Sequence, residues 1–153
     1  AHVSACLQNI HSLGDTFAHT IYLVLDLSAS INKGRVSTSE VIKAVKTDSN
    51  WNAIASKLTL LWDHADFNYI AAVVNRSKHQ NLLSPDLVHN FADEAEMRWK
   101  LEMRAFDSER MKAHFLQCDL LPFLQKEVSR QSALMREIGF LLDAVVEGRT
   151  IKT

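Results

Sequence analysis

The chain has 153 residues, of which 47% are hydrophobic and 23% charged; this balance suits a single folded domain and argues against an intrinsically disordered chain. Its 17 basic and 18 acidic residues give a formal net charge of −1, which argues against nucleic acid as a partner because no basic surface is required. The longest purely apolar runs, such as residues 21–25, are far too short to predict a membrane span.

Turn-forming residues are scarce, with only four glycines and two prolines. An all-β chain needs many turns, so this scarcity favours helices joined by few connections. The sequence therefore predicts an all-α single domain over residues 1–153, packed as a helical bundle or an irregular helical globule of about five or six helices. The core is expected around the first, third and last of them.

The first predicted helix carries an apolar stripe with one glycine in it. The stripe consists of Val3, Leu7, Ile10, Phe17, Ile21 and Val24, spaced by multiples of three and four as on one helix face. Gly14 stands where the stripe would have a side chain, at a cost of about 1 kcal/mol relative to alanine. We expect Gly14 to permit the close approach of another helix or to mark a kink.

The middle of the chain offers clear helix boundaries. The capping box Ser37-Thr38-Ser39-Glu40 predicts the start of a short helix. Apolar spacing then predicts one long helix over about 51–76, or two helices with a bend near 63–66, followed by a loop over 75–83.

Two further helices are predicted in the second half. Ser84-Pro85 is typical of a helix start, and helical spacing continues through Val88, Phe91, Ala95, Trp99, Met103 and Phe106. The last helix is expected to be capped by Asp119, to tolerate Pro122 in its first turn and to end at Gly148. No segment with the alternating pattern of a strand is identified.

The stretch Cys6–Phe17 resembles a BH3 motif, the helix through which members of the Bcl-2 family recognise each other. Four apolar residues surround Gly14-Asp15 in the register of that motif: Cys6, Ile10, Leu13 and Phe17. The resemblance implies that the apolar residues fill pockets of a groove and that Asp15 meets an arginine there. Segments 48–51 and 120–123 are similar to the BH1 and BH2 regions, but Asn52-Ala53 replaces the Gly-Arg of that family. The unbroken stripe through Ile21 favours a core helix instead.

Residues 34–41 are similar to the second half of an EF-hand calcium loop, with its turn glycine and its closing Glu40. Counting back from Gly34, the ligand positions of the first half fall on Ala29, Ile31 and Lys33. These side chains offer no carboxylate oxygen to a hard cation, so the resemblance predicts a degenerate helix-loop-helix without calcium.

Histidines and carboxylates cluster twice: Asp63, His64 and Asp66, and Asp86, His89 and Asp93. Surface histidines are the simpler interpretation, so no metal ligand is predicted. Metalloprotease, nucleophile-elbow, CxxC and phosphate-loop motifs are absent from the sequence, so no catalytic residue is predicted and a non-enzymatic protein is favoured. The cofactor, if any, is unknown.

Three functions stay open. The first is a non-catalytic binding or regulatory module that recognises a protein partner or an apolar ligand through a hydrophobic groove. Its expected partner-binding residues are Gly14, Asp15, Trp51, Trp62 and Trp99. The second is a secreted helical-bundle ligand of cytokine type, and the third is a metal- or haem-binding helical protein suggested by seven histidines. Homo-oligomerisation is also open.

The two cysteines bear on the compartment. Cys6 and Cys118 have apolar neighbours, and buried free thiols, which would fit a cytoplasmic protein, are the expected state. A disulfide between them would instead indicate a secreted protein.

Overall fold

Helices account for most of the fold. The computed structural model describes residues 2–79, 85–89 and 99–148. Within them it has five α-helices: α1 His2–Val24, α2 Thr38–Val45, α3 Asn52–Trp62, α4 Ala65–His79 and α5 Leu120–Val146. Three short 3₁₀ turns, Leu27–Ala29, Lys33–Arg35 and Ser49–Trp51, join the helices of the first half.

Short antiparallel strands separate α4 from α5. They are β1 Asp86–His89, β2 Trp99–Met103, β3 Phe106–Ser108, β4 Ala113–Phe115 and β5 Cys118–Asp119. β2 lies between β1 and β5 in a three-stranded sheet, in which Leu87 is opposite Leu101 and Met103 is opposite Cys118. β3 and β4 form a separate hairpin, with Phe106 opposite Phe115.

The predicted all-α fold class is wrong, because the protein is mostly helical with a small antiparallel sheet. The helix predicted from Ser84 to Phe106 is replaced by β1, β2 and the start of β3. Trp99, Leu101 and Met103 alternate with charged residues, which is the period of a strand. Ser84 and residues 90–98, including Phe91, Ala95 and Asp93, lie outside the described residues.

The helix boundaries agree well with the sequence in the first half. Ser37 caps α2 by accepting a hydrogen bond from the Glu40 amide, and the helix predicted over 51–76 divides into α3 and α4 at the expected bend. α4 continues to His79, so the loop predicted from residue 75 begins too early.

The last helix also has its predicted ends. α5 starts at Leu120 with Pro122 in its first turn. The Asp119 side chain makes no capping hydrogen bond, although a cap was predicted. Gly148 follows the helix with a positive φ of 65°, the left-handed conformation that glycine adopts after a helix.

Two clusters of buried side chains form the core. The first joins the second half of α1 to α2, α3 and the end of α5, with Ile21, Ile54, Leu58 and Ile138 fully buried. The second joins the first half of α1 to α4, the strands and the start of α5. α1 and α5 therefore contribute to both clusters. None of the described helices has the length and hydropathy that crossing a membrane requires.

Candidate functional site

The residues predicted to bind a partner occupy different environments. Gly14 is buried on α1, and Trp62 of α3 faces it: a Cβ on Gly14 would lie 3.2 Å from Trp62 Nε1. Trp51 is half-buried at the end of its 3₁₀ turn and packs on the same core cluster as Trp62. Asp15 is exposed, and Trp99 on β2 is 64% exposed. The fold thus brings Gly14 and Trp62 into contact, and their role towards a partner stays a prediction.

The BH3-like residues of α1 differ in their burial. Ile10 and Gly14 are buried, whereas Cys6 and Leu13 are exposed. The stripe that enters the core consists of Leu7, Ile10, Gly14, Ala18 and Ile21. A core helix that turned all four BH3-like residues inward would bury Cys6 and Leu13 as well. Both are exposed, because they lie along one edge of this stripe rather than within it.

The EF-hand-like segment has local roles in the fold. Asn32 accepts a hydrogen bond from the Gly34 amide, and Glu40 forms an ion pair with Lys43 at 2.8 Å. The closing glutamate of the supposed calcium loop is thus directed along α2.

An open groove of about 690 Å³ lies between α4, the segment around β4 and the first turn of α5. This volume is within the range of about 300–1,000 Å³ that is common for ligand sites. The lining residues are Ala65, Asp66, Asn68, Tyr69, Met111, Ala113, His114, Phe115, Leu116, Gln117, Cys118 and Phe123. We call it the α4–β4 groove.

A cluster of aromatic rings around Tyr69 forms the base of the α4–β4 groove. The Tyr69 ring centroid lies 5.5 Å from that of Phe106, 5.5 Å from that of Phe115 and 5.0 Å from that of Phe123. Phe106 and Phe115 stack on each other across the β3–β4 hairpin at 5.1 Å. Edge-to-face and offset ring pairs stabilise such a cluster beyond simple burial. The base of the groove is therefore formed by packed rings without a ligand.

The polar atoms at the base of the groove are uncharged at neutral pH. The Cys118 thiol donates a hydrogen bond to the Tyr69 hydroxyl at 3.3 Å. Burial raises the pKa of Tyr69 well above its usual range, and the contact with Cys118 raises it further. Burial also raises the pKa of Cys118. A thiol with a raised pKa is a poor nucleophile, so the groove suits binding better than thiol catalysis.

The rim of the groove combines apolar and polar groups. Leu116 is 74% exposed at this rim. His114 Nδ1 and Asp107 Oδ1 are within hydrogen-bond distance at 2.8 Å, and the Gln117 amide donates from Nε2 to Glu102. An apolar ligand on the aromatic base would therefore have hydrogen-bonding groups at its edge.

A polar cluster adjoins the groove through Asp66. His64 precedes α4, Asp66 lies in the first turn of α4, and Glu127 of α5 is fully buried. One potential ligand atom from each of the three lies within 4.8 Å of the other two. We call these residues the His64–Asp66–Glu127 cluster.

Two cations accompany this cluster. Arg130 donates from Nε and Nη2 to the two oxygens of Glu127, at 2.7 and 2.6 Å. Lys126 Nζ lies 2.8 Å from Asp66 Oδ2. Both carboxylates are thus balanced in charge, as buried or half-buried carboxylates require.

The other histidine cluster is only partly described. Asp86 pairs with Arg104, and the ring centroids of His89 and Trp99 are 4.7 Å apart; Asp93 lies outside the described residues.

Both thiols are free, and Cys6 is exposed rather than buried as predicted.

Sequence reasoning missed the groove and Glu127. Tyr69, Phe115 and Phe123 come from α4, β4 and α5, and no local pattern links them. His64 and Asp66 were noticed as neighbours, but Glu127 is about sixty residues away in the chain and reaches them only through the packing of α5.

The chain matches no protein-family model, no curated protein and no solved structure at a significant level. The case for function therefore depends on the groove and its surroundings.

Proposed function

We propose that this protein is a non-catalytic binding module that holds an apolar ligand, or an apolar segment of a partner protein, in the α4–β4 groove. The observation that carries the proposal is a groove of ligand size with a base of packed aromatic rings. Sites of this size with apolar walls and a few polar edge groups are the common form of ligand pockets.

The chemistry of the groove supports binding rather than turnover. Tyr69 and Cys118 satisfy each other by a hydrogen bond, and the raised pKa of Cys118 keeps its thiol protonated at neutral pH. The exposed Leu116 adds apolar surface at the rim. When a ligand covers that surface, the burial stabilises the complex by about 25 cal/mol per Å² of apolar area removed from water.

Binding of the fluorescent apolar probe anilinonaphthalene sulfonate tests the groove. Leu116→Gln should weaken probe binding about fivefold, the effect of losing about 1 kcal/mol of apolar contact. Leu23→Gln is the matched control, because Leu23 is 70% exposed on α1 and does not line the groove. Equal probe affinity of the two variants would contradict the proposal.

The Cys118 thiol provides a second, local readout. In a Cys6→Ser protein Cys118 is the sole thiol, and a bound ligand that fills the α4–β4 groove should slow its alkylation. An apolar compound that binds without protecting Cys118 would place the binding site elsewhere.

A further inference from the structure

The His64–Asp66–Glu127 cluster brings three metal-binding side chains together from two helices. His64 and Asp66 flank the start of α4, and Glu127 projects from the second turn of α5. Their potential ligand atoms converge within 4.8 Å. Within the described parts of the chain, no other group of three histidine, cysteine or carboxylate side chains converges in this way.

The spacing suits one small cation. His64 Nδ1 and Asp66 Oδ2 are 3.9 Å apart, and two ligands at about 2.0–2.2 Å from a tetrahedral zinc ion lie roughly 3.3–3.6 Å apart. A shift of a few tenths of an ångström therefore completes this pair. Imidazole nitrogen with carboxylate oxygen favours transition-metal dications over calcium.

The hydrogen bonding of the His64 ring fits a ligand role for Nδ1. The Asp66 amide donates a hydrogen bond to His64 Nδ1 at 3.2 Å, which places the ring proton of neutral His64 on Nε2. Nδ1 therefore carries a lone pair on the side of the ring that faces Asp66. A metal ion would compete only with this long capping bond.

Glu127 is held in a fixed orientation. Arg130 holds both of its oxygens and also donates to the carbonyl oxygens of Leu60 and Leu61, at 2.7 and 3.0 Å. Gln131 donates to Glu127 Oε1 at 2.8 Å. Partners of this kind fix a carboxylate in the way that outer-shell groups fix metal ligands.

The cation beside Asp66 can be replaced more easily than the cation beside Glu127. The Asp66 Oδ2 is enclosed by the protein and is paired with Lys126 Nζ at 2.8 Å. The Lys126 side chain is 68% exposed, so its ammonium group can move into solvent. A dication would then supply the charge that Lys126 supplies in its absence.

We propose that His64, Asp66 and Glu127 form a binding site for a divalent transition metal, with zinc as the best fit. The ion replaces Lys126 beside Asp66, and Arg130 stays paired with Glu127. Since Asp66 also lines the α4–β4 groove, the site adjoins the surface proposed for apolar ligands. The metal site goes beyond that proposal and can be tested without any groove ligand.

Competition of the metal-free protein with a chelating dye for Zn²⁺, and separately for Mn²⁺, measures the site. The parent should bind one equivalent of Zn²⁺ with a dissociation constant below about 10 µM. His64→Ser should weaken binding at least about tenfold while keeping a side chain that caps helices. His19→Ser is the control, because His19 is exposed on α1 and its loss should leave the tight site intact.

Lys126→Ala distinguishes a metal site from an ordinary ion-pair network. Removing the competing ammonium should tighten Zn²⁺ binding about threefold to tenfold. Lys43→Ala is the matched control, because Lys43 is similarly exposed and pairs with Glu40 at the same 2.8 Å. It should leave the affinity unchanged.

Several outcomes would overturn the metal site. The first is a parent protein that binds neither Zn²⁺ nor Mn²⁺ at one equivalent. The second is a Lys126→Ala protein that binds Zn²⁺ no more tightly than the Lys43→Ala protein does. The third is that the His64→Ser and Asp66→Asn proteins both bind Zn²⁺ with the affinity of the parent. Circular dichroism of each variant confirms folding. If His64→Ser fails to fold, Asp66→Asn decides in its place. Loss of the metal site with unchanged binding of the apolar probe would leave the groove proposal standing.

Discussion

Gly14 lies where α1 meets the Trp62 and Phe67 rings, and there is little space beside its Cα. A Cβ there would lie 3.2 Å from Trp62 Nε1 and 3.3 Å from Phe67 Cζ. Both rings are buried in the first core cluster, so a larger side chain forces them apart. The glycine that costs helix propensity therefore permits close packing of α1, as its place in the apolar stripe predicts.

Substitution of Gly14 tests this contact. Gly14→Leu should lower the free energy of unfolding by about 1–3 kcal/mol, the usual effect of overpacking a core. Gly139→Ala is the control in α5, because a Cβ there meets nothing within 4 Å; it should gain up to about 1 kcal/mol from helix propensity. Urea denaturation measures both, and a stabilised Gly14→Leu protein would disprove the crowding.

His11 is a second residue whose environment has a measurable consequence. It stacks on Phe67 with 6.1 Å between ring centroids. Burial lowers the pKa of His11 from 6.5; Asp15 acts in the opposite direction, and Lys78 and Arg110 lower it further. Folding therefore favours neutral His11.

The sign of this pKa shift predicts acid sensitivity. Between the folded pKa and the unfolded value of 6.5 the unfolded chain binds more protons, so stability falls as the pH falls through this window. His11→Phe keeps a ring on Phe67 and should reduce the loss of stability between about pH 7.5 and pH 5.5. His19→Phe, at an exposed position of the same helix, should lose as much as the parent. Identical pH dependence in all three would contradict the assignment.

The contact between α3 and α5 shows how one polar side chain can join two elements. Arg130 of α5 donates to the carbonyl oxygens of Leu60 and Leu61, which belong to the last turn of α3. The buried Glu127 holds Arg130 in place. A guanidinium at a helix C-terminus also interacts favourably with the helix dipole.

Two ion pairs of the same interface can therefore be compared. Glu127→Gln should destabilise the protein by about 3 kcal/mol, at the low end of the effect of breaking a buried pair, because Arg130 keeps some access to solvent. Lys57→Ala removes the exposed pair of Lys57 with Glu137 and should cost less than about 1 kcal/mol. Thermal unfolding of both variants measures the two losses of stability. Equal losses would show that the buried pair contributes no more to stability than the exposed pair.

The elements that the sequence predicts well are long or have a distinct start. α1, α3 and α5 each repeat their apolar spacing over several turns, and Ser37 marks the start of α2. The strands were missed because they have two to five residues. In so short a window, Trp99 and Met103 fit the helix period, and Trp99, Leu101 and Met103 fit the strand period. Only pairing with distant residues decides between them.

The candidate sites are still less visible in the sequence, because they exist only after distant elements pack. Tyr69 and Phe115 meet through the placement of the β3–β4 hairpin on α4, and Glu127 reaches His64 through α5. The local pair His64 and Asp66 was recognisable as a cluster. The third member, Glu127, was not recognisable, because nothing in the sequence around it distinguishes it from the other charged residues of α5.

At the scale of the molecule, α1 and α5 connect the two core clusters. α5 places Leu120 in the second cluster and Ile138 in the first, both fully buried. Continuous helices that serve both clusters should make their unfolding cooperative. A single domain over residues 1–153 stays a prediction, and the cooperativity of unfolding tests it.

Truncation in each cluster tests that cooperativity. Leu120→Ala and Ile138→Ala should each destabilise by about 2–5 kcal/mol, and each should shift one common unfolding transition. In a Trp99→Phe background the remaining Trp51 and Trp62 report on the first cluster, whereas the helix signal of circular dichroism comes from both clusters. If unfolding is cooperative, the two signals should have the same midpoint. If Leu120→Ala lowered the midpoint of the helix signal and left that of the tryptophan signal unchanged, the two clusters would unfold separately, and the single-domain prediction would be wrong.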